Sequence, residues 1–341
     1  MRSRLLPSWL SFLLRRLRDA ALVLLGVHLL TFALFFGVNT PDDMARLALG
    51  GKRVTAEQVL NWKRERGYDR PLLWNADEHG SGALTQTIFW QRSAALLRLD
   101  FGRSDSESGG DIGREVGRRM AVSVQLALPL FVLQGLASLL VALALVAVRG
   151  SALERWGGAL TLLMLSISSL FYIVAGQALF SHLLRLAPVS GWADGWASWR
   201  FLVLPLGLAL LTRLAGDVRL YRAMLLEEAG KPHVRAARAR GLGEAAVLGR
   251  HVLRNAAVPV LTSAGLVLPQ VFLGSLVFES YFGLPGLGAY AIEAIAAQDF
   301  AVVRTMVLLG AVLQVTAMLL VDLALRWADP RIRLDAPGVA R

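Results

Sequence analysis

The sequence predicts an all-α integral membrane protein, and three observations support that fold class. Hydrophobic residues make up 55% of the 341 residues, and the mean hydropathy of +0.52 is high for a soluble domain. Charged residues amount to only 18%, and they collect between long apolar runs. The absence of cysteine excludes a disulfide framework and thiolate metal sites.

Six apolar segments are candidates to cross a bilayer as helices, which takes about 20 residues each. The first is too long for a signal peptide and no small-residue cleavage site follows it, so we expect an uncleaved helix. The fourth is the shortest, and we expect its helix to continue past Asp217 because no breaker precedes Gly230. The expected spans are Ala20–Val38, Ala121–Val148, Gly158–Leu184, Phe201–Gly216, Ala257–Ser280 and Val302–Leu325.

The basic residues orient these spans, because short cytoplasmic loops carry an excess of Lys and Arg. Five arginines precede the first span, two lie in the link after the second, eight basic residues lie in 217–256, and four follow the last span. The short links on the other side carry only two. We therefore expect residues 1–19 and 326–341 to be cytoplasmic, on either side of a first span and a transmembrane core over 121–325.

The long 39–120 segment is expected to be periplasmic, since loops of its length escape the charge rule. Its apolar content is too low for an independent core, so we expect it to pack against the spans or a partner. Within it, the spacing of Val59, Leu60 and Trp62 predicts a helix over Ala56–Arg66.

Motifs for catalysis and for nucleotide binding are missing. Neither Gly51-Lys52 nor Gly230-Lys231 fits the phosphate loop G-x-x-x-x-G-K-[ST], and H-E-x-x-H and G-x-S-x-G are absent. On a soluble protein the net charge of +11 would suggest nucleic acid, but here we expect basic loops at an anionic lipid surface. The prediction is a non-enzymatic protein that binds no cofactor, metal or nucleic acid and has the lipid bilayer as a partner.

Polar groups inside the spans are mostly amides, which either bond neighbouring helices together or line a water-filled path. The spans contain no series of carboxylates that could relay protons. We expect the Gln134 side chain to form a hydrogen bond between two helices. The candidates for a substrate path are Gln125, Gln270 and Gln314.

Residues 217–256, which we call the basic segment, lie between the fourth and fifth spans. Gly230 and Pro232 interrupt its first helix, and Gly241 and Gly243 interrupt the second. A helix-turn-helix in this position is suited to contact another molecule at the membrane surface. The alternative is a solvated basic loop that only fixes the topology.

Six stretches along the chain together resemble one known family. Val234–Thr262 is similar to the cytoplasmic coupling loop of inner-membrane permease subunits of ABC importers, in the branch for oligopeptides, dipeptides and nickel chelates. Gly241 stands at the family's glycine, and Arg235 stands where the general pattern has glutamate, a departure typical of the peptide branch. The other matching stretches are Gly67–Leu72, Asp100–Ser104, Ala187–Trp192, Val277–Ala289 and Asp329–Arg331.

The resemblance implies a permease subunit of the bacterial inner membrane that forms half of a pore and imports short peptides or peptide-like solutes. Its implied partners are a second, different permease, two ATPase subunits that bind ATP and Mg²⁺, and a periplasmic solute-binding protein. The alternatives are an autonomous channel or secondary carrier without ATPase partners, and a membrane assembly factor.

The resemblance also implies two contact surfaces. A helix at about Pro232–Arg240 would lie in a groove of the ATPase and pack through Val234, Ala237 and Ala239. The expected ATPase-coupling residues are Val234, Arg235, Ala236, Ala237, Arg238, Arg240, Gly241 and Leu242. The expected docking residues for the binding protein are Tyr281, Phe282, Pro285 and Gly286.

Overall fold

The structure is a computed structural model that describes the backbone of residues 8–50, 54–98, 100–106 and 109–328, with their side chains except at 8–11, 97, 268–275 and 324–328. Within that part the chain is helical and has no β-strand, only an isolated antiparallel bridge between Arg103 and Asp111. The all-α prediction is confirmed there. Asp329–Arg331, one of the matching stretches, lies outside the described residues.

The first part of the chain contains one long and four short helices. The α3 helix has the bounds expected from the sequence, because Thr55 and Gln58 form a reciprocal cap at its start and Gly67, at φ 68°, ends it. Its Val59 and Trp62 are buried, whereas Leu60 is exposed. The helices are α1 (Ser8–Val38), α2 (Pro41–Ala48), α3 (Ala56–Arg66), α4 (Gly82–Thr85) and α5 (Ile88–Leu97).

The remainder alternates long helices with short connecting ones. A π-helical stretch, Gln177–Leu183, extends α8, and a second one, Leu248–Leu253, leads into α12. The helices are α6 (Ile112–Ala147), α7 (Ala152–Ser166), α8 (Ser169–Gly176), α9 (Trp199–Ala229), α10 (Pro232–Ala239), α11 (Glu244–Val247), α12 (Arg254–Phe282), α13 (Leu287–Ala296) and α14 (Phe300–Ala328).

Four described helices are long and apolar enough to cross a membrane, namely Phe12–Val38, Ile112–Ala147, Gly195–Ala229 and Phe300–Leu323. As expected, α9 continues without a break to Ala229. The α12 helix is 29 residues long and contains the expected fifth span, although the side chains of 268–275 lie outside the described residues.

The expected third span is not one continuous helix. The chain bends by 90° between Ala152–Ser166 and Ser169–Leu183. At the bend Ile167 is extended, and the Ser168 side chain accepts a hydrogen bond from the Phe171 N–H, which starts the second helix.

The described residues of 1–122 and 286–315 form one compact unit. In its first core, Phe32 and Phe36 of α1 pack with Met44, Trp62 and Tyr68, so the 39–120 segment packs on the first long helix as expected. A second core joins the start of α6 to α13 and the start of α14; its buried members are Ile112, Val116, Leu287, Ala294, Ala301 and Val302.

The described residues of 123–285 and 316–341 form the other compact unit, in which α9 contacts α7, α8 and α12. Close helix packing requires small residues at two places. A Cβ on Gly176 would collide with Leu208 of α9, and one on Gly265 would collide with Val321 of α14. These contacts hold α8 against α9 and α12 against α14.

Candidate functional site

The basic segment is a folded element with its own buried base. Gly230 ends the long helix α9, Lys231 is the N-cap of α10, and Pro232 occupies the first turn, where its missing N–H costs no hydrogen bond. Val234 and Ala237 of α10 are fully buried, as is Val247 of α11.

The buried base is continuous with three long helices. The cluster contains Ala142 and Val146 of α6, Tyr221 and Leu225 of α9, and residues of α10, α11 and the start of α12. Interiors of this kind are close-packed, so the parts that share one core resist relative displacement. A load on α10 therefore acts directly on α6, α9 and α12.

This arrangement corrects the expectation about which residues of α10 face a partner. Val234 and Ala237 pack inside the chain and offer nothing to a partner. The exposed residues of this stretch include Arg235, Ala236, Arg238, Ala239, Arg240 and Leu242. The surface available for contact is thus a basic ridge interrupted by small alanines.

Arg238 belongs to the internal structure of the segment. Its guanidinium forms an ion pair with Glu244 of α11 at 2.7 Å and donates to the Ala229 carbonyl at 3.3 Å. Hydrogen bonding from Arg238 lowers the pKa of Glu244. The same bond raises the pKa of Arg238. Arg238 therefore joins the end of α9 to α11.

A second set of charges lies where α9 meets α10. Glu228 is buried, and its carboxylate lies 2.6 Å from Lys231 Nζ and 3.1 Å from His233 Nε2. Hydrogen bonding to Glu228 raises the pKa of Lys231. The His233 ring in turn lies 3.2 Å from the Asn255 amide at the start of α12. These bonds fix the turn on both sides.

Gly241 follows α10 with a positive φ of 79°, and a Cβ there would meet no atom within 4 Å. The requirement for glycine is therefore conformational, because the left-handed region is costly for residues with a Cβ. This turn directs the chain from α10 into α11.

Gln134 links two long helices, as predicted. Its Nε2 donates to Asp217 Oδ2 at 2.9 Å, which joins α6 to α9 at the first residue of the basic segment. Gln125 is exposed, with Ser198 Oγ 3.5 Å from its Oε1, and Gln314 is half-buried. The side chain of Gln270 lies outside the described residues, and the substrate path stays a prediction.

Two of the matching stretches meet at the other end of the same unit. The Gly191 N–H donates to the Phe282 carbonyl at 3.0 Å, and the Gln177 amide donates to the carbonyls of Val189 and Tyr281. Phe282 is 1% exposed, so its side chain is unavailable for the docking role expected of it. Tyr281 is exposed and Pro285 is half-buried.

Gly286 belongs to the other compact unit and is buried there, which also removes it from the expected docking surface. The same unit brings together Gly67–Leu72 and Asp100–Ser104 through a buried polar network. Arg304 donates to the Tyr68 hydroxyl at 2.6 Å, and that hydroxyl lies 3.4 Å from both carboxylate oxygens of Asp105.

Asp105 and Asp299 both hold the start of α14. Asp105 accepts from the Ala301 N–H at 2.9 Å, and Asp299 accepts from Val302 N–H at 3.1 Å and from the Ser104 hydroxyl. Burial raises the pKa of Asp105 and of Tyr68. Sequence reasoning missed this network, because its members are up to 236 positions apart.

Comparison with known proteins places this geometry in a family. Residues 118–334 match the model of the binding-protein-dependent transport system inner membrane component, and residues 9–94 match the N-terminal model of such membrane components. A solved structure of the MetNI methionine ABC transporter, in an inward-facing conformation, covers 62% of this chain and 95% of its own. Its TM-score is 0.52 at 17% identity, which shows a shared fold.

Relatives match over nearly the whole length. A protein named as a peptide transport system permease in Brucella abortus (strain 2308) is 32% identical over 330 residues, which are 95% of this chain and 99% of the relative. The di/tripeptide transport system permease of Pseudomonas aeruginosa (strain UCBPP-PA14) is 29% identical, with the same coverage. This chain therefore belongs to the family of binding-protein-dependent transport system inner-membrane components, the multi-pass permease subunits of ABC importers.

Proposed function

We propose that this chain is one half of the pore of an ATP-driven importer for short peptides or peptide-like solutes. The solute class is supported by the names of the relatives, which are peptide, dipeptide and di/tripeptide permeases. The rest of the complex is a second, different permease, two ATPase subunits that bind ATP and Mg²⁺, and a periplasmic binding protein.

The proposed topology has six spans with both termini in the cytoplasm. The four apolar helices, the bent pair α7–α8 and the long α12 supply the six crossings. The basic segment then faces the cytosol and the 39–120 segment faces the periplasm. The excess of basic residues in the short links supports this orientation.

The main support for the mechanism is the exposed ridge of α10, whose buried side shares one core with α6, α9 and α12. In the proposed complex, Arg235, Ala236, Ala239 and Arg240 meet a groove of the ATPase, where small alanines allow close approach and the guanidinium groups meet acidic or carbonyl oxygens. ATP-driven closure of the ATPase pair moves α10, and the shared core passes the displacement to the spans as rigid-body rocking.

Charge reversal on the ridge tests this contact. In Arg235→Glu/Arg240→Glu, retention of the ATPase subunits during purification at moderate salt should fall, because two exposed charges change sign. Arg155→Glu is the matched control, since it alters an exposed arginine in another short link that is expected to be cytoplasmic. Equal retention in the double variant and the control would contradict the ridge as the ATPase contact.

Reconstitution separates the importer from a channel or carrier that works alone. In liposomes, the purified chain without ATPase subunits should show no solute uptake, and uptake should require the full complex, the binding protein and ATP. Uptake by the chain alone would favour the autonomous channel or carrier. Identifying what the cognate binding protein retains on purification would name the solute.

A further inference from the structure

A cavity of about 270 Å³ lies within the unit formed by residues 1–122 and 286–315. Its wall includes His28 and Phe32 of α1 and Leu308 of α14, which belong to helices apolar enough to span a membrane. Arg66 and Arg92, from the 39–120 segment, form another part of the wall. The cavity therefore reaches from a spanning helix into the segment that the proposed topology puts outside the bilayer.

Three guanidinium groups line this cavity, those of Arg66, Arg92 and Arg304. Aromatic faces support them: Arg66 lies over Trp62 at 4.8 Å, Arg92 over Tyr68 at 4.9 Å, and Arg304 over Phe36 at 5.0 Å. Such stacking holds the arginine side chains in place and does not neutralise their positive charge.

Few direct ion pairs reach these three arginines within the described part of the chain, although the Asp105 carboxylate interacts electrostatically with Arg304 and Arg92. Arg66 has one ion pair, at 3.6 Å, with Glu65, whose side chain is 74% exposed. Arg92 donates to the Arg66 carbonyl and Arg304 to the Phe300 carbonyl and the Tyr68 hydroxyl, which are neutral acceptors. Asp100 is the one carboxylate among the lining residues, and it accepts from the Gly102 N–H.

One nitrogen of Arg66 also lacks a hydrogen-bond partner within the described residues. Its Nε is buried and has no hydrogen-bond partner among the described residues, while another of its nitrogens donates to the Ser106 carbonyl at 3.1 Å. A buried donor left unpaired is costly, and a charged one more so. An anionic ligand in the cavity would supply negative charge beside the Arg66 guanidinium.

The remaining lining residues indicate the chemistry of the rest of that ligand. Phe32, Leu96, Phe101 and Leu308 give the cavity an apolar side next to the arginines. A tetrahedral phosphate offers enough oxygens for several guanidinium groups at once, and an attached acyl chain suits the apolar side. We propose that this cavity binds a phosphate-bearing amphiphile, namely the head group of a membrane phospholipid, with the Arg66 side chain as one of its partners.

This inference rests on the proposed membrane placement of α1 and α14, and it is independent of the solute. Native mass spectrometry of the purified complex tests it without ATP or peptide, so its failure leaves the importer function untouched. The probes are dioleoylphosphatidylglycerol, dioleoylglycerol, which lacks the phosphate, and inorganic phosphate. The variants are Arg66→Met, which keeps an unbranched apolar side chain over Trp62, and the control Arg64→Met, an exposed arginine on the same helix.

The wild-type complex should bind dioleoylphosphatidylglycerol and not dioleoylglycerol, whether or not any variant folds. Arg66→Met should weaken that binding about tenfold, the scale of one charge-assisted hydrogen bond, and Arg64→Met should leave it unchanged. Equal binding of the two lipids, or equal lipid affinity in the wild type and Arg66→Met, would overturn the site. Displacement of the phospholipid by inorganic phosphate at equal concentration would overturn its assignment to a lipid.

Discussion

Substitution of Gly241 separates the conformational role of this turn from any role in contact. Its φ of 79° lies in the left-handed region, and nothing lies within 4 Å of a Cβ built there. Gly241→Val should therefore cost about 2 kcal/mol through backbone strain alone, since a non-glycine residue in this region costs about 1–3 kcal/mol. At about 1.4 kcal/mol per tenfold change, local opening of the turn should rise roughly 30-fold.

Gly241→Asn is the matched control, because asparagine tolerates the left-handed region far better than a β-branched residue. Two measurements on the assembled complex in nanodiscs check the prediction: amide hydrogen exchange across α10, and ATP hydrolysis stimulated by the loaded binding protein. Gly241→Val should exchange faster and lose most of the stimulation while still inserting into the membrane. Gly241→Asn should stay close to the wild type.

Two results would refute this reasoning at different steps. Normal stimulated hydrolysis and transport in Gly241→Val, together with faster exchange, would show that a rigid turn is not needed for coupling. Equal loss in Gly241→Asn and Gly241→Val would show that the side chain itself interferes with a partner. In that case the strain argument would be wrong and the contact argument would gain support.

Three further predictions concern other parts of the structure. Val234→Ala removes two methyl groups from the buried base and should destabilise the basic segment by about 1.5–2 kcal/mol, at about 0.8 kcal/mol per group. It should be cut faster in limited proteolysis than Arg235→Ala, an exposed control on the same helix. Tyr68→Phe removes the hydroxyl shared by Arg304 and Asp105 and should lower the melting temperature of the complex; an unchanged value would contradict a stabilising network. Because Arg238 lowers the folded-state pKa of Glu244, the stability from their pair is present above the unfolded-state pKa and is lost as pH falls through the lowered folded-state value. Glu244→Gln should thus cost about 0.2–1 kcal/mol at pH 7, as the pair is exposed, and nothing at strongly acidic pH, measured by proteolysis over a pH series.

Local signals in the sequence were sufficient for several elements. The α3 helix has its expected bounds because Thr55, Gln58 and Gly67 are capping residues at the proper spacing. The α9 helix runs to Ala229 because no breaker lies between Asp217 and Gly230. In both cases the residues that decide the structure are neighbours in the chain, so a reading along the sequence finds them.

Other features could not be predicted in this way from the sequence alone. The bend at Ile167 lies among three serines, of which Ser168 caps the second helix, but neither proline nor glycine marks it. The inward direction of Val234 and Ala237 depends on α6, α9 and α12, which pack against them from distant parts of the chain. The pairing of Asp105 with the start of α14 likewise joins residues 196 positions apart.

The inward direction of Val234 changes how coupling must work. If these apolar residues packed on the ATPase, α10 would be a separate body joined to the spans by flexible turns, and its motion could be absorbed locally. In this structure the apolar face is used to attach α10 to the permease, and the bonds of Arg238 and Glu228 hold both of its ends. In the proposed complex, contact with the ATPase is then left to charge and to small side chains, so the weaker interface would face the partner and the stronger one the spans. Raising the salt concentration should therefore release the ATPase subunits before it loosens the basic segment, because screening acts on exposed charges far more than on a buried apolar core.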